Sequence, residues 1–273
     1  MRSKPSALGA AALALILVGA AAGQTDCEKG GGPLRSAPPD GMTPFDVIRQ
    51  FTFMEAKFKA NRMRYTYTQD LTIQTLTYNG ADKSFVDGEF RQVTEVSVDD
   101  RGRRTEQIVF APQSSLRRLA MTPQDMEDIR SSVVLPLTHE DAPDYDISYR
   151  GQQRVDTLDT YVFDVVPKTV KRGKRYFQGR VWVESRDLAI VKTCGKSVDV
   201  EKKENLHPTF VTYREQVDDV YWFPSYARSD DWLPFRNGAV RIREIVRFQN
   251  YRQLGSRPPT ASRDASPSPG SGR

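Results

Sequence analysis

The chain has 273 residues and a formal net charge of +5, yet Arg2 and Lys4 fall in the first 23 residues, and Arg257, Arg263 and Arg273 face only Asp264 in the last 19. Residues 24 to 41 are negative by one, so Met42 to Leu254 carries only +2 with both signs interspersed, which excludes a dedicated nucleic-acid binder despite the basic pI. With 38% hydrophobic residues overall, a body of this length can bury one substantial core, and a wholly disordered chain is excluded.

Arg2 and Lys4 precede an uninterrupted small and apolar run over 7–22 that ends in Ala21-Ala22-Gly23. This pattern reads as a secretory signal peptide over 1–23. The run is shorter than the ~20 residues that cross a bilayer as a helix, so a retained anchor is the lesser alternative. The mature protein is therefore expected in the periplasm. Two cysteines remain, Cys27 and Cys194, and in an oxidising compartment one intramolecular pairing is open to them, with free or intermolecularly paired thiols as the alternative. Their spacing offers no CxxC metal or redox site.

Residues 24–41 are a Gly/Pro linker by composition, and residues 255–273 a disordered Pro/Ser/Gly tail. Between them, 42–254 reads as one domain. Thr43-Pro44-Phe45-Asp46 combines an N-cap, a first-turn proline and an acidic third residue. Val47, Ile48, Phe51, Met54 and Phe58 follow at helical spacing, so a helix is predicted over about 44–60. The period then changes to two: Tyr65, Tyr67, Leu71 and Ile73 alternate with polar residues, as in a half-buried strand. Strands follow at about 89–98 and 103–110 around a Gly-containing turn. Thr122-Pro123-Gln124-Asp125 repeats the capping pattern and starts a short helix to about 131. Strands return at about 144–150, 160–167, 175–185, 188–200, 208–217, 220–227 and 238–250. Most linking loops are too short for crossover helices, so the sheet must be largely antiparallel, about ten strands in meander order. A sheet of that size curls. The fold class is mainly β (α+β): a single curved antiparallel sheet, a half-barrel whose concave apolar face is covered by two or more helices.

No GxSxG, phosphate loop or HExxH is present, and there are only two histidines. His139-Glu140-Asp141 with Asp144 reads as a solvated turn before it reads as a metal site, and His207 before Pro208 as a solvated strand start. Asp218-Asp219 and Asp230-Asp231 are expected on strand-end loops, each pair pointing to opposite faces. With no recognisable nucleophile or acid/base pair, the chain is expected not to be an enzyme, without cofactor or metal. The Lys171-to-Arg175 run reads as a solvated hairpin turn, with contact to lipid phosphates or an acidic partner as the alternative. Arg241, Arg243 and Arg247 are expected on the convex face, leaving Val240, Ile242 and Val246 inward. Aromatics crowd the first helix at Phe45, Phe51, Phe53 and Phe58 and recur along the strands.

The segment Tyr176-Phe177-Gln178-Gly179-Arg180-Val181-Trp182-Val183-Glu184, followed by Leu188-Ala189-Ile190-Val191-Lys192, resembles the paired strands of the outer-membrane lipoprotein-sorting (LolA-like) superfamily, with its G-x-V-W-V and L-x-I-V-K pattern. The resemblance covers roughly 44–250. It implies a half-barrel with helices over a hydrophobic cavity, non-covalent binding and transport of lipid or lipoprotein acyl chains, and, in other members, envelope sensing or protein interaction. On this reading Ile48, Phe51 and Met54 close as a lid over Tyr65, Tyr67, Leu71, Val240 and Ile242. The expected partners are a lipid or lipoprotein acyl chain and an envelope or outer-membrane protein, bound by a monomer.

Overall fold

The computed structural model describes residues 26–78, 84–99, 103–134, 136–200, 207–235 and 238–254; the signal peptide expected over 1–23 and the tail expected over 255–273 lie outside them. Helix α1 spans Pro44–Arg62 and helix α2 spans Pro123–Val133, both opened by a capping box. In α1, Thr43 Oγ1 accepts from the Asp46 amide, and the Asp46 carboxylate accepts from the Thr43 amide and hydroxyl. These bonds, chiefly the hydroxyl's, hold the Asp46 carboxyl below its ordinary range. The buried face of α1 is Val47, Phe51, Thr52, Glu55 and Phe58. Phe45 and Phe53 face solvent, so the extra aromatics on this helix are not core.

The ten strands are β1 (Tyr65–Tyr78), β2 (Ser84–Val98), β3 (Arg104–Phe110), β4 (Tyr145–Val155), β5 (Leu158–Pro167), β6 (Tyr176–Glu184), β7 (Ile190–Val198), β8 (Phe210–Val217), β9 (Tyr221–Phe235) and β10 (Gly238–Gln253). They form one open antiparallel sheet in the order β3-β2-β1-β10-β9-β8-β7-β6-β5-β4. The meander expectation holds within β1–β3 and within β4–β10. It fails at their junction, because β1 pairs with β10, from Tyr65 opposite Gln253 to Leu76 opposite Arg241. The half-barrel opens instead between β3 and β4, and the long link over 111–144 between them carries α2 onto the inner face of the sheet.

Residues 26–41 form a strap along β4, although their composition suggested only a linker. Gly31 and Arg35 bridge to Val155 and Gln152, Tyr149 donates to Ala37 O, and Gln153 donates to Gly32 O. At Gly151, φ is +141° and a Cβ would lie 2.2 Å from Arg35 O, so only glycine lets the strap come this close. The strap is fastened by a Cys27–Cys194 disulfide, the intramolecular pairing that the sequence left open. It helps to bury an outer-face cluster of Val162, Trp182, Val191 and Val211. Lys192, with no exposure, donates to Cys27 O and Lys29 O and lies over Trp182; burial lowers its pKa. Among the described residues no helix is long and apolar enough to cross a membrane.

Candidate functional site

Two apolar clusters occupy the inner face. One lies over β4–β7, where Val47 and Phe51 of α1 pack on Tyr145, Tyr161, Phe163, Tyr176 and Ile190, with the Phe51 and Phe163 rings 5.5 Å apart. The other joins Tyr65, Tyr67, Leu71, Ile73, Phe223, Val240, Ile242 and Phe248 beneath Phe58 of α1 and Ile129 and Val133 of α2.

The predicted site residues are thus divided. Tyr65, Tyr67, Leu71, Val240 and Ile242 do come together, but Ile48 and Phe51 lie over the opposite half of the sheet. Met54 lines a crevice with Ala189, Val220 and Trp222. The roof over the five strand residues is α2 with Phe58. The difference from the expected lid has a topological reason: β1 is carried round to β10, so the end of α1 at Phe58 reaches Tyr65 and Tyr67, while Val47, Ile48 and Phe51 lie over β4–β7.

The middle of α1 is held to the sheet by a buried ion pair. Arg214 on β8 donates from both terminal nitrogens to Glu55, at 2.5 and 3.0 Å, and both side chains are almost wholly buried. The amide of Leu137, just past α2, donates to the same carboxylate at 3.4 Å, and the Arg214 guanidinium lies 4.5 Å from the Phe58 ring centre. Sequence reasoning missed this latch, although Glu55 lies between Phe51 and Phe58 on the apolar stripe of the helix, where a charge needs a partner.

Among the described residues, two cavities lie between helices and sheet. One, about 200 Å³, lies at the end of α1 and is walled by Phe58, Tyr65, Tyr67, Val96, Val98 and Val134, with Lys59, Arg62 and Arg104 beside them. Arg62 donates to Tyr67 OH at 2.8 Å, and the Arg62 and Arg104 guanidiniums both lie over the Tyr67 ring. The buried Nε atoms of both arginines lack partners. Tyr65 OH donates to Asp218 at 2.7 Å; burial first, then that bond, pushes its pKa up to about 12. The other cavity, about 130 Å³, lies under α2 and is lined by Ile73, Leu119, Ile129, Phe210, Leu233 and Ile242 together with Asp125, Asp128, Ser132, His207 and Glu244.

Several polar residues stand differently from expectation. His207 is buried, not solvated, with Nε2 2.7 Å from Asp199, because it lies beneath α2 just before β8. The nearby hydroxyls are engaged elsewhere: Ser132 bonds Ser197, and Ser131 donates to Glu127 O and Asp128 O. His139 is exposed in a turn, as expected. Asp218 and Asp219 sit in the β8–β9 turn, whereas Asp230 and Asp231 lie within β9. The basic 171–175 run is largely neutralised internally. Lys171 pairs with Asp144, Lys174 with Asp141 and Asp144, and Arg175 with Asp128 and Asp199. Arg241 is buried on the outer face, donating to Asp230 and to Tyr78 OH, while Arg247 on the same face is exposed.

No protein-family model matches the chain, and no curated protein matches it. Among solved structures, a DUF1329 family protein from Desulfovibrio piger is 14% identical at a TM-score of 0.39, covering 79% of this chain and 96% of that one. MucB in complex with MucA(peri) is 10% identical at a TM-score of 0.23, covering 78% and 99%. The Pseudomonas aeruginosa MucA/MucB complex is 10% identical at a TM-score of 0.22, covering 77% and 99%. Likeness at these scores is too slight to carry fold or function from those proteins to this chain.

Proposed function

We propose that this is a periplasmic, non-enzymatic protein that binds and carries a lipid or lipoprotein acyl chain on the inner face of its half-barrel. The observation that supports this reading most is the cavity at the end of α1, whose walls are Phe58, Tyr65, Tyr67, Val96 and Val134. Tyr65 and Tyr67 are site residues expected from sequence. At about 0.8 kcal/mol per buried CH₂, a sixteen-carbon chain offers roughly 12 kcal/mol gross, nominally nanomolar before ordering costs. Ligand pockets usually enclose about 300–1,000 Å³, more than the 200 Å³ found here. Entry of a long chain therefore requires the end of α1 beyond the Glu55–Arg214 latch to lift, which limits burial and keeps the cargo releasable. A fluorescent fatty-acid probe tests this directly. Binding is expected in the native protein and not in Val96→Trp, which fills the cavity; no binding by a folded native protein counts against the reading.

One observation favours a second reading, an envelope interaction module of the same fold. The edge strand β3 exposes Ile108, Val109 and Phe110, each about half accessible. A partner protein's extended segment would add there as a further strand. Val109→Lys should then abolish the partner's association and leave probe binding unchanged.

A further inference from the structure

On β10, Glu244 stands in the inner-face ladder between Ile242 and Val246. It is 5% exposed, it lines the cavity under α2, and its buried Oε2 has no hydrogen-bond partner. Its cross-strand neighbour Ser229 is fully buried, and Ser229 Oγ is likewise unpartnered. A carboxyl held in this way weakens the fold, and an aliphatic side chain in the same ladder would not.

Among the described residues, the charged groups that line this cavity beside Glu244 are carboxylates and His207. Asp125 and Asp128 of α2 line the cavity with Glu244, and Asp231 of β9 raises its pKa further. His207, from the segment before β8, is paired with Asp199. The nearby described cations are committed: Arg175 bonds Asp128, and Arg241 and Arg243 bond Asp230 on the outer face. β1 contributes only Ile73 to this wall.

We propose that this cavity binds a protonated primary amine carried on a short apolar chain, with Glu244 as its counter-ion and Ile73, Ile129, Phe210 and Ile242 around the chain. This site is separate from the acyl-chain cavity, and neither reading depends on the other. An ammonium brings three donors and a positive charge to an orphan acceptor. An anionic headgroup would meet carboxylates, and a plain hydrocarbon would leave Glu244 unsatisfied. Burial, aided by Asp231 and Asp125, pushes the Glu244 carboxyl up to about 8, so near neutral pH it is mostly protonated. The ligand enters and stays as ammonium, Glu244 ionises, and its proton leaves to solvent.

Calorimetric titration of the purified protein with hexylamine, cadaverine, hexanol and hexanoate tests the proposal. Hexylamine should bind at least about tenfold more tightly than hexanol or hexanoate, releasing about one proton per amine when buffers of different ionisation enthalpy are compared. Glu244→Gln should abolish both the preference and the proton release while still melting cooperatively. Cadaverine binding more tightly than hexylamine would point to a diamine ligand, and the reverse order to an amphiphilic amine. Equal affinities, a preference for hexanoate, no binding of any probe, or unchanged behaviour in Glu244→Gln would overturn the proposal.

Discussion

The two halves of this sheet are built to different standards. Over β4–β7 both faces are sealed: Phe51 and its neighbours fill the inner face, and the strap with its disulfide covers the outer one. Over β10, β1, β2 and β3 the roof is looser. Both cavities described above lie there or reach from there onto β8 and β9, with the unpartnered Arg62 Nε, Arg104 Nε, Ser229 Oγ and Glu244 Oε2, whereas over β4–β7 the buried Tyr176 OH is the unpartnered side-chain atom among the described residues. Even the edges differ, since β4 is covered by the strap and, among the described residues, nothing pairs with the outer edge of β3. On the proposed function the difference separates labour: the sealed half supplies stability, and the other keeps the space and most of the costly polar groups that a ligand site needs.

The comparison can be broken at several points. The largest effect is expected at the strap. The disulfide spans a sequence separation of 167, and in the chain-entropy model Cys27→Ser with Cys194→Ser should cost on the order of 5 kcal/mol in urea unfolding. Loss of the strap should also expose Trp182, visible as a red shift of its fluorescence. Next comes the latch between the halves. Arg214→Leu leaves the buried Glu55 without a counter-charge and should cost about 3–5 kcal/mol, whereas Glu55→Leu with Arg214→Met should recover most of it. If the double variant is as unstable as the single, the pair is not what holds α1.

Glu244 predicts a pH signature confined to the looser half. Its folded pKa, about 8, lies above the ordinary glutamate value, so the folded state binds the proton more tightly. Stability should therefore be fullest below the ordinary glutamate range and fall, by on the order of a few kcal/mol, as pH rises towards 8. Thermal melts of Glu244→Gln across that window should show a flatter dependence. The smallest effect is expected at the bare edge. Val109→Lys should change stability by less than about 0.5 kcal/mol, because the side chain is already half exposed.

Much of this was legible in the sequence because it is local. Both capping boxes, the period-two strands and the short loops of β4–β10 give the elements and most of their order. The β1–β10 pairing was not legible, since it joins residues far apart in the chain through no local signal, and the error in the lid followed from it. Two site residues did leave a trace: Glu55 interrupts the Phe51–Phe58 stripe, and Glu244 interrupts the Ile242–Val246 ladder. Their surroundings left none, because Arg214 on β8 and Asp125 on α2 are brought to them only by tertiary packing. The burial of His207 was hidden for the same reason.

The central claim is that the looser half holds an acyl chain. Mass spectrometry of the protein purified from its native host, under conditions that keep it folded, tests this most directly. A lipid or lipoprotein acyl species should co-purify with the native protein and be lost from Val96→Trp. Native protein free of any such species, or the same species retained in the filled-cavity variant, would contradict the account.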